Sequence, residues 1–206
     1  MNPKYHSALP PGVPIYPLTV RQYLRMVEVD ILGEYDRVEL LEGLLVPKKP
    51  PTPPHDSATN HLNTILWKAL SDQWQVRCKS AITTSDSVPE PDISVVVANE
   101  KEYFKRHPKA SETALAIEVS DVTLNIDRIV KRRVYARAKI PAFWLVNLPN
   151  FRLEVFTLPK GGKSADYRRC ETFKAGDRVP LPIDGAKRKT LLVSEILLLR
   201  ETDVKS

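Results

Sequence analysis

Two short apolar segments each carry one carboxylate at a position where it could take part in metal chemistry. Asp92 lies in residues 91–97 and Glu118 in residues 115–120. Both segments have the composition of buried β-strands. A carboxylate inside an apolar strand is costly unless a cation or hydrogen bonds compensate it. Two such strands side by side would bring together oxygen ligands of the kind that Mg²⁺ prefers. Each carboxylate could instead cap a strand end or pair with an arginine.

The alternation of side chains along a strand decides which residues share a face with these carboxylates. With a period of two, Asp92 shares a face with Ser94, and Glu118 shares a face with Ser120. A nuclease that cuts with Mg²⁺ benefits from a lysine that activates water or stabilises phosphate charge. Because position 120 is a serine, the strand itself does not supply this lysine.

The helix predicted over residues 125–138 offers a lysine instead. Val130 and Val134 form an apolar stripe on this helix, and Asp127 and Lys131 fall within the same arc. A lysine on the sheet-facing side of a helix is unusual without an anionic partner. Lys131 is therefore the candidate for assisting water or the phosphate. The alternative is a lysine whose stem covers apolar surface while its ammonium reaches solvent.

Composition bounds the class of protein before any motif is considered. The chain has 206 residues, of which 42% are hydrophobic and 27% are charged, as expected for one globular domain with a sizeable core. No apolar run approaches the ~20 residues that a membrane span needs. The N-terminus lacks the pattern of a secretory signal. The two cysteines suit a reducing compartment, so we expect a cytoplasmic protein.

The positive charge of the chain favours a polyanionic partner. The formal net charge is +6, and six basic residues fall within residues 128–139. Arg128, Arg132 and Arg133 on the predicted helix are expected to contact the DNA phosphate backbone, or else to form a solvated helix face. His55, at the start of an earlier helix, could touch a phosphate or have no role.

The remaining pattern predicts an α/β protein with a mixed sheet flanked by helices. Residues 1–17 form a proline-rich N-terminal arm, and residues 18–206 form a single domain. A capping box at Thr19 opens a short helix through about residue 29. The further predicted elements are a hairpin over 37–46, a proline-rich loop over 47–54, a helix over 56–74, and strands over 75–81, 142–147 and 152–156.

Several short motifs, taken in their order and spacing over residues 18–157, resemble one protein family. This is the Uma2 family, whose members are described as restriction endonucleases of the PD-(D/E)XK nuclease fold. The motifs are Val38-Glu39-Leu40-Leu41-Glu42-Gly43, Pro54-His55, Pro91-Asp92, Glu118-Val119-Ser120, Asp127 with Lys131 and Tyr135-Ala136 at four-residue intervals, and Ile140-Pro141-Ala142-Phe143-Trp144-Leu145-Val146.

The resemblance implies roles for individual residues. Asp92 and Glu118 would be ligands of Mg²⁺ or Mn²⁺, and Lys131 would replace the usual strand lysine from the next helix. Glu39 would be an additional acid near the site. The chain departs from the family pattern at Lys139, where glycine is frequent. This departure concerns the end of the helix more than the chemistry.

These observations predict a Mg²⁺-dependent endonuclease that hydrolyses DNA phosphodiester bonds, acting as a two-fold homodimer and without a membrane. Two alternatives remain on the same fold. One is a catalytically inactive nucleic-acid-binding protein, which the serine at position 120 favours. The other is a protein-interaction module that binds no nucleic acid. Salt-dependent DNA affinity separates the module from the other two, and Mg²⁺-dependent cleavage then separates the enzyme from the binder.

Overall fold

A six-stranded mixed β-sheet forms the centre of the protein in the computed structural model, which describes residues 14–198. Most of the predicted proline-rich arm, residues 1–13, lies outside the described residues. The sheet has the strand order β3-β4-β5-β6-β7-β8. Its strands are β3 (Trp74–Cys78), β4 (Ile93–Val97), β5 (Thr113–Ser120), β6 (Ala142–Asn147), β7 (Arg152–Lys160) and β8 (Asp166–Phe173).

In the described part of the chain, two small antiparallel pairs and five helices other than short 3-10 turns accompany this sheet. The pairs are β1 (Val38–Leu41) with β2 (Leu44–Pro47), and β9 (Arg178–Pro180) with β10 (Thr190–Leu192). The helices are α1 (Val20–Glu28), α2 (Pro53–Ala69), α3 (Glu100–Tyr103), α4 (residues 124–137) and α5 (Val193–Ile196). Helix α4 is α-helical over Leu124–Ile126, π-helical over Asp127–Lys131 and α-helical again over Arg132–Arg137. Within the described residues, no helix has the length and apolar character to cross a membrane.

The β5-α4-β6 unit places α4 over one face of the sheet. Strands β5 and β6 are parallel, whereas every other neighbouring pair in the sheet is antiparallel. Parallel neighbours need a crossover connection, and α4 lies within this one. The mixed sheet with flanking helices confirms the fold class that the sequence predicted.

The two faces of β5 pack against different helices. Ile117 and Val119 belong to the core cluster that includes α2, whereas Ala116 belongs to the cluster that includes α4. Glu118 and Ser120 lie on the α4 side, as a period of two requires. The strand therefore presents its carboxylate to the helix that carries Lys131.

The β1-β2 hairpin turns at Glu42 and Gly43, as predicted, and packs beside α4. Both turn residues have positive φ, 51° and 80°, as a two-residue hairpin turn requires. The Glu42 carboxylate pairs with Arg133 and Arg137 of α4. These ion pairs fix the hairpin against the helix, so that Glu39 of β1 faces the same region as Lys131.

Helix α2 begins earlier and ends earlier than the predicted range of 56–74. Its N-cap is Thr52, whose hydroxyl accepts a hydrogen bond from the N–H of His55, and Pro53 occupies the first helical position. A threonine N-cap followed by proline is a strong helix start. The prolines before His55, which the sequence analysis assigned to a loop, thus open the helix.

Candidate active site

Asp92 and Glu118 lie at the same end of two adjacent strands. Ile93 of β4 pairs with Ile117 of β5 in antiparallel register, and the next step along that register brings Asp92 opposite Glu118. The backbone N–H of Val119 donates to Asp92 Oδ2 at 2.8 Å. Both carboxylates line one cleft at this end of the strands, which residues of α2 and α4 also line.

Lys131 bridges two carboxylates at the floor of this cleft. Its Nζ lies 2.6 Å from Glu39 Oε2 and 3.1 Å from Glu118 Oε1. All three side chains are buried, with at most 6% of each side chain exposed. The N–H of Glu90 donates to Glu39 Oε2 at 2.9 Å and holds that carboxylate in place. The structure therefore brings Glu39, Glu118 and Lys131 together from a hairpin, a strand and a helix.

The floor of the cleft carries more negative charge than Lys131 neutralises. Burial raises the pKa of Glu118 well above its usual value, and although Lys131 opposes this shift, the carboxylates of Asp127, Asp92 and Glu39 add to it. The hydroxyl of Tyr135 donates to Glu118 Oε1. Such a site gains stability by taking up a proton or a cation.

Lys131 is held in its charged form. Burial alone would lower the pKa of its ammonium, but the neighbouring Glu118 and Glu39 outweigh burial and raise the pKa above its usual range. A permanently protonated amine stabilises negative charge on a phosphate and does not abstract a proton from water. Of the two chemical roles that the sequence left open for this lysine, a charged ammonium is compatible with stabilisation of phosphate charge.

Ser120 lies two residues after Glu118, at the strand position where the sequence analysis looked for a lysine. It contacts Asp127, which precedes Lys131 by one helical turn. Its hydroxyl donates to Asp127 Oδ2, and the hydroxyl of Thr123 donates to the same oxygen at 2.6 Å. Burial raises the pKa of Asp127, against the lowering effect of these hydrogen bonds. The two hydroxyls hold Asp127 on the cleft wall, as a second acid from α4 and β5 beside Glu118.

His55 contacts Asp92 in this structure. Its Nε2 lies 3.1 Å from Asp92 Oδ1, and this hydrogen bond raises the pKa of the imidazole despite burial. The other ring nitrogen, Nδ1, is buried and has no hydrogen-bond partner in the described part of the chain. His55 thus lines the cleft and contacts Asp92, and its contact with a phosphate stays a prediction.

The three arginines expected to contact DNA do not line the cleft. Each guanidinium instead meets a carboxylate of a neighbouring element: Arg128 pairs with Glu154 of β7, Arg132 with Asp166 of β8, and Arg133 with Glu42 of the hairpin turn. A guanidinium that is already held by a carboxylate has fewer donors left for a phosphate. These contacts give the three arginines a role in joining α4 to the sheet and the hairpin.

The sequence analysis missed the basic residues that do line the cleft. Arg37, Lys48, Lys49 and Lys79 surround its mouth. Lys48 and Lys49 stand between prolines, directly after the hairpin and before the helix that carries His55. The sequence signal that could have identified these residues is a pair of lysines in the proline-rich connection between the hairpin and the helix that carries His55.

The residues of the cleft fit a hard divalent cation. Glu118 Oε2 accepts no hydrogen bond from the described residues and remains available as an oxygen ligand, beside the Asp92 carboxylate. Within residues 14–198, no three His, Cys, Asp or Glu side chains are arranged around a common cation position. One or two carboxylates are enough for Mg²⁺, which usually keeps several waters and binds substrate phosphate.

Comparison with known proteins agrees with this description of the fold. The model of the Uma2 family, described as "Putative restriction endonuclease", matches residues 20–186. No curated protein matches the chain significantly in sequence. A crystal structure from Anabaena variabilis, described as "a putative nuclease belonging to DUF820", superposes with a TM-score of 0.65, at 17% identity, over 88% of this chain and 98% of that chain. The two proteins share a fold.

Proposed function

The chain belongs to the Uma2 family, and from this premise we propose that it is a metal-dependent endonuclease that hydrolyses phosphodiester bonds of DNA. One observation carries the proposal: the charged ammonium of Lys131 lies 3.1 Å from Glu118 Oε1, at the floor of a cleft that Asp92 also lines. A buried cation among excess carboxylates suits a reaction in which negative charge develops on a phosphoryl group.

Asp92 and Glu118 would hold the metal ion, Mg²⁺ or Mn²⁺. Their oxygens are the donor type that such ions prefer, and the charge of the cleft floor favours a cation. A divalent cation bound there supplies positive charge to the phosphoryl oxygens and lowers the pKa of water. Glu39 would act as an auxiliary acid, because its carboxylate holds Lys131 at 2.6 Å.

The residues of the chain position the reacting groups and stabilise charge. Water attacks phosphorus and gives up a proton to solvent, the ester bond to the leaving oxygen breaks, and that oxygen takes up a proton from solvent, which yields a phosphomonoester and an alcohol. Lys131, kept protonated by Glu39 and Glu118, would stabilise the charge that develops on the phosphoryl oxygens. Tyr135 and the N–H of Val119 orient Glu118 and Asp92, respectively.

Cutting both strands of a duplex requires two such clefts. A two-fold homodimer, the commonest symmetry of soluble oligomers, would supply them. On this proposal the protein sediments as a dimer and converts supercoiled plasmid to linear product, whereas an active monomer would accumulate nicked circles.

Incubation of the purified protein with supercoiled plasmid tests the proposed activity. We expect cleavage with Mg²⁺ or Mn²⁺ and none with EDTA. A protein that binds labelled DNA with strong salt dependence but leaves the plasmid intact at every metal concentration would be the inactive nucleic-acid-binding alternative. A protein that neither binds nor cleaves would be an interaction module. Parallel incubation with RNA of the same sequence measures the preference for DNA.

A further inference from the structure

The cleft separates its charges by depth. The floor consists of buried acids around Lys131, among them Glu39 and Glu118. The mouth carries the exposed cations Arg37, Lys49 and Lys79. The acidic floor therefore favours a cationic ligand, whereas the basic mouth favours an anionic one. The mouth is arranged for anionic groups that lie outside the reacting centre.

The basic residues of the mouth extend the cleft in one direction. Arg37, Lys48 and Lys79 line both the cleft and a second cavity beside it. Arg37 and Lys79 also have positive φ, 22° and 45°, although neither is glycine. Such backbone conformations cost free energy and persist only where the surrounding structure imposes them. Two strained cationic residues therefore stand at the boundary between the two cavities.

The second cavity limits how far an anion can travel. Beyond the boundary its lining carries the acids Asp30, Glu34 and Asp36. These carboxylates repel phosphate groups, so an anionic strand would follow the basic boundary without entering the second cavity.

The same side of the mouth carries a strap over residues 47–51, with the sequence Pro-Lys-Lys-Pro-Pro, in which the N–H of Lys48 donates to the carbonyl of Arg37 at 2.8 Å. Proline fixes φ, and the strap therefore presents its two lysines with little loss of conformational freedom. Lys48 is paired with Glu90. Lys49 makes only a long hydrogen bond, 3.5 Å, to the carbonyl of Val122, and neither Lys49 nor Arg37 has a carboxylate partner in the described residues.

We propose that Arg37, Lys49 and Lys79 form a phosphate track, which binds backbone phosphates neighbouring the one that reacts at the floor. Arg37 and Lys49 offer uncompensated charge to the strand. Lys79 Nζ lies 2.7 Å from Asp56 Oδ1 in an exposed ion pair. When DNA binds, Lys79 would leave this carboxylate and contact a phosphate. That the polyanion is DNA rests on the proposed function. The three residues of the track, in place of the arginines of α4, would then be the principal contacts to the DNA backbone.

Salt-dependent DNA binding tests the phosphate track without requiring cleavage. A short fluorescein-labelled DNA duplex is titrated in EDTA with the wild type and with the triple variant Arg37→Gln, Lys49→Gln, Lys79→Gln, at several salt concentrations. The slope of log affinity against log salt should become less negative by about 1 for each lost phosphate contact, or about 3 in the triple variant.

A charge-matched triple variant provides the control. Lys68→Gln, Lys101→Gln and Lys163→Gln remove the same net charge from exposed residues that line neither cavity. Equal slopes for the two triple variants would overturn the phosphate track, as would a wild type that does not bind DNA. If the wild type cleaves plasmid but the two triple variants have equal slopes, the phosphate track is overturned and the proposed function is not. A slope loss in a protein that cleaves nothing would support the track and remove the proposed catalysis.

Discussion

Lys131 Nζ lies 3.1 Å from Glu118 Oε1, although one residue belongs to a helix and the other to a strand of the central sheet. The strand itself has a serine two residues after Glu118, where a second functional group on the same face would stand. The helix that follows β5 thus supplies the buried cation of the cleft. This relationship links the fold to the chemistry, because the β5-α4 connection decides where the ammonium lies.

Metal binding at Asp92 should be measurable as thermal stabilisation. Addition of Mg²⁺ at about 100 times its Kd stabilises a native state by ~2.7 kcal/mol through linkage, which for a protein of this size raises the melting temperature by several degrees. The variant Asp92→Asn should lose most of this shift. Its amide oxygen can still accept the hydrogen bond from the N–H of Val119, so the fold should be retained.

The control for metal binding is Asp166→Asn, which removes a carboxylate from β8 that pairs with Arg132 outside the cleft. This variant should show the full Mg²⁺-dependent shift in calorimetry. Equal shifts in the wild type, the control and Asp92→Asn would place the metal somewhere other than at Asp92.

Acid stability should depend on the ion pair between Arg106 and Glu112. The guanidinium donates two hydrogen bonds of 2.8 Å to this carboxylate and lowers its pKa from 4.5 to about 2. A depressed folded-state pKa gives stability that is fully present above pH 4.5 and is lost as the pH falls toward 2. Because solvent screens this partly exposed pair, we expect Glu112→Gln to lower the free energy of unfolding by less than about 1 kcal/mol at pH 7.

Urea unfolding at pH 7 and near pH 2 checks this window. The difference between the wild type and Glu112→Gln should disappear at the lower pH. Glu171→Gln, in the more exposed pair with Arg169, should have little effect at either pH. A Glu112→Gln deficit of the same size at both pH values would contradict the assignment.

The end of α4 offers a stabilising substitution. Lys139 has φ of 60° in a Schellman-type end, in which the N–H of Ile140 donates to the carbonyl of Tyr135. A left-handed conformation costs an L-residue roughly 1–2 kcal/mol, whereas glycine adopts it freely. Lys139→Gly should therefore raise the free energy of unfolding by about 1 kcal/mol. The same change at Lys160, an exposed position in β7, should be neutral or destabilising, and a gain at both positions would exclude the backbone explanation.

Local patterns predicted much of the fold. The capping box at Thr19, the hairpin turn at Glu42 and Gly43, and the two faces of β5 follow from rules that act over a few residues. The same alternation placed Glu118 on the face that meets α4. Sequence patterning succeeded there because side-chain direction in a strand depends on the backbone alone.

Features that depend on tertiary partners could not be predicted in this way. The π-helical turn over Asp127–Lys131 has no local sequence rule that distinguishes it from α-helix. The arginines of α4 were expected to face DNA, but Glu154, Asp166 and Glu42 reach them from distant parts of the chain. Likewise, only the folded structure brings Arg37 and Lys79 to the same cleft mouth.

Cleavage by Lys131 variants tests the central claim most directly. Rates are measured under single-turnover conditions on supercoiled plasmid with Mg²⁺, for the wild type, Lys131→Ala, Lys131→Arg and Arg132→Ala. Because Lys131→Ala leaves two buried carboxylates without their cation, it should also lose several kcal/mol of stability. The assay is therefore run well below the melting temperature of each variant.

We predict that Lys131→Ala lowers the cleavage rate by about 100-fold or more, as loss of one charge-stabilising donor does in other active sites. Lys131→Arg should recover little, because a planar guanidinium does not replace a compact ammonium in a buried site. Arg132→Ala, one residue further along α4 and outside the cleft, should cleave like the wild type. Folded Lys131→Ala protein that cleaves at the wild-type rate would contradict the account.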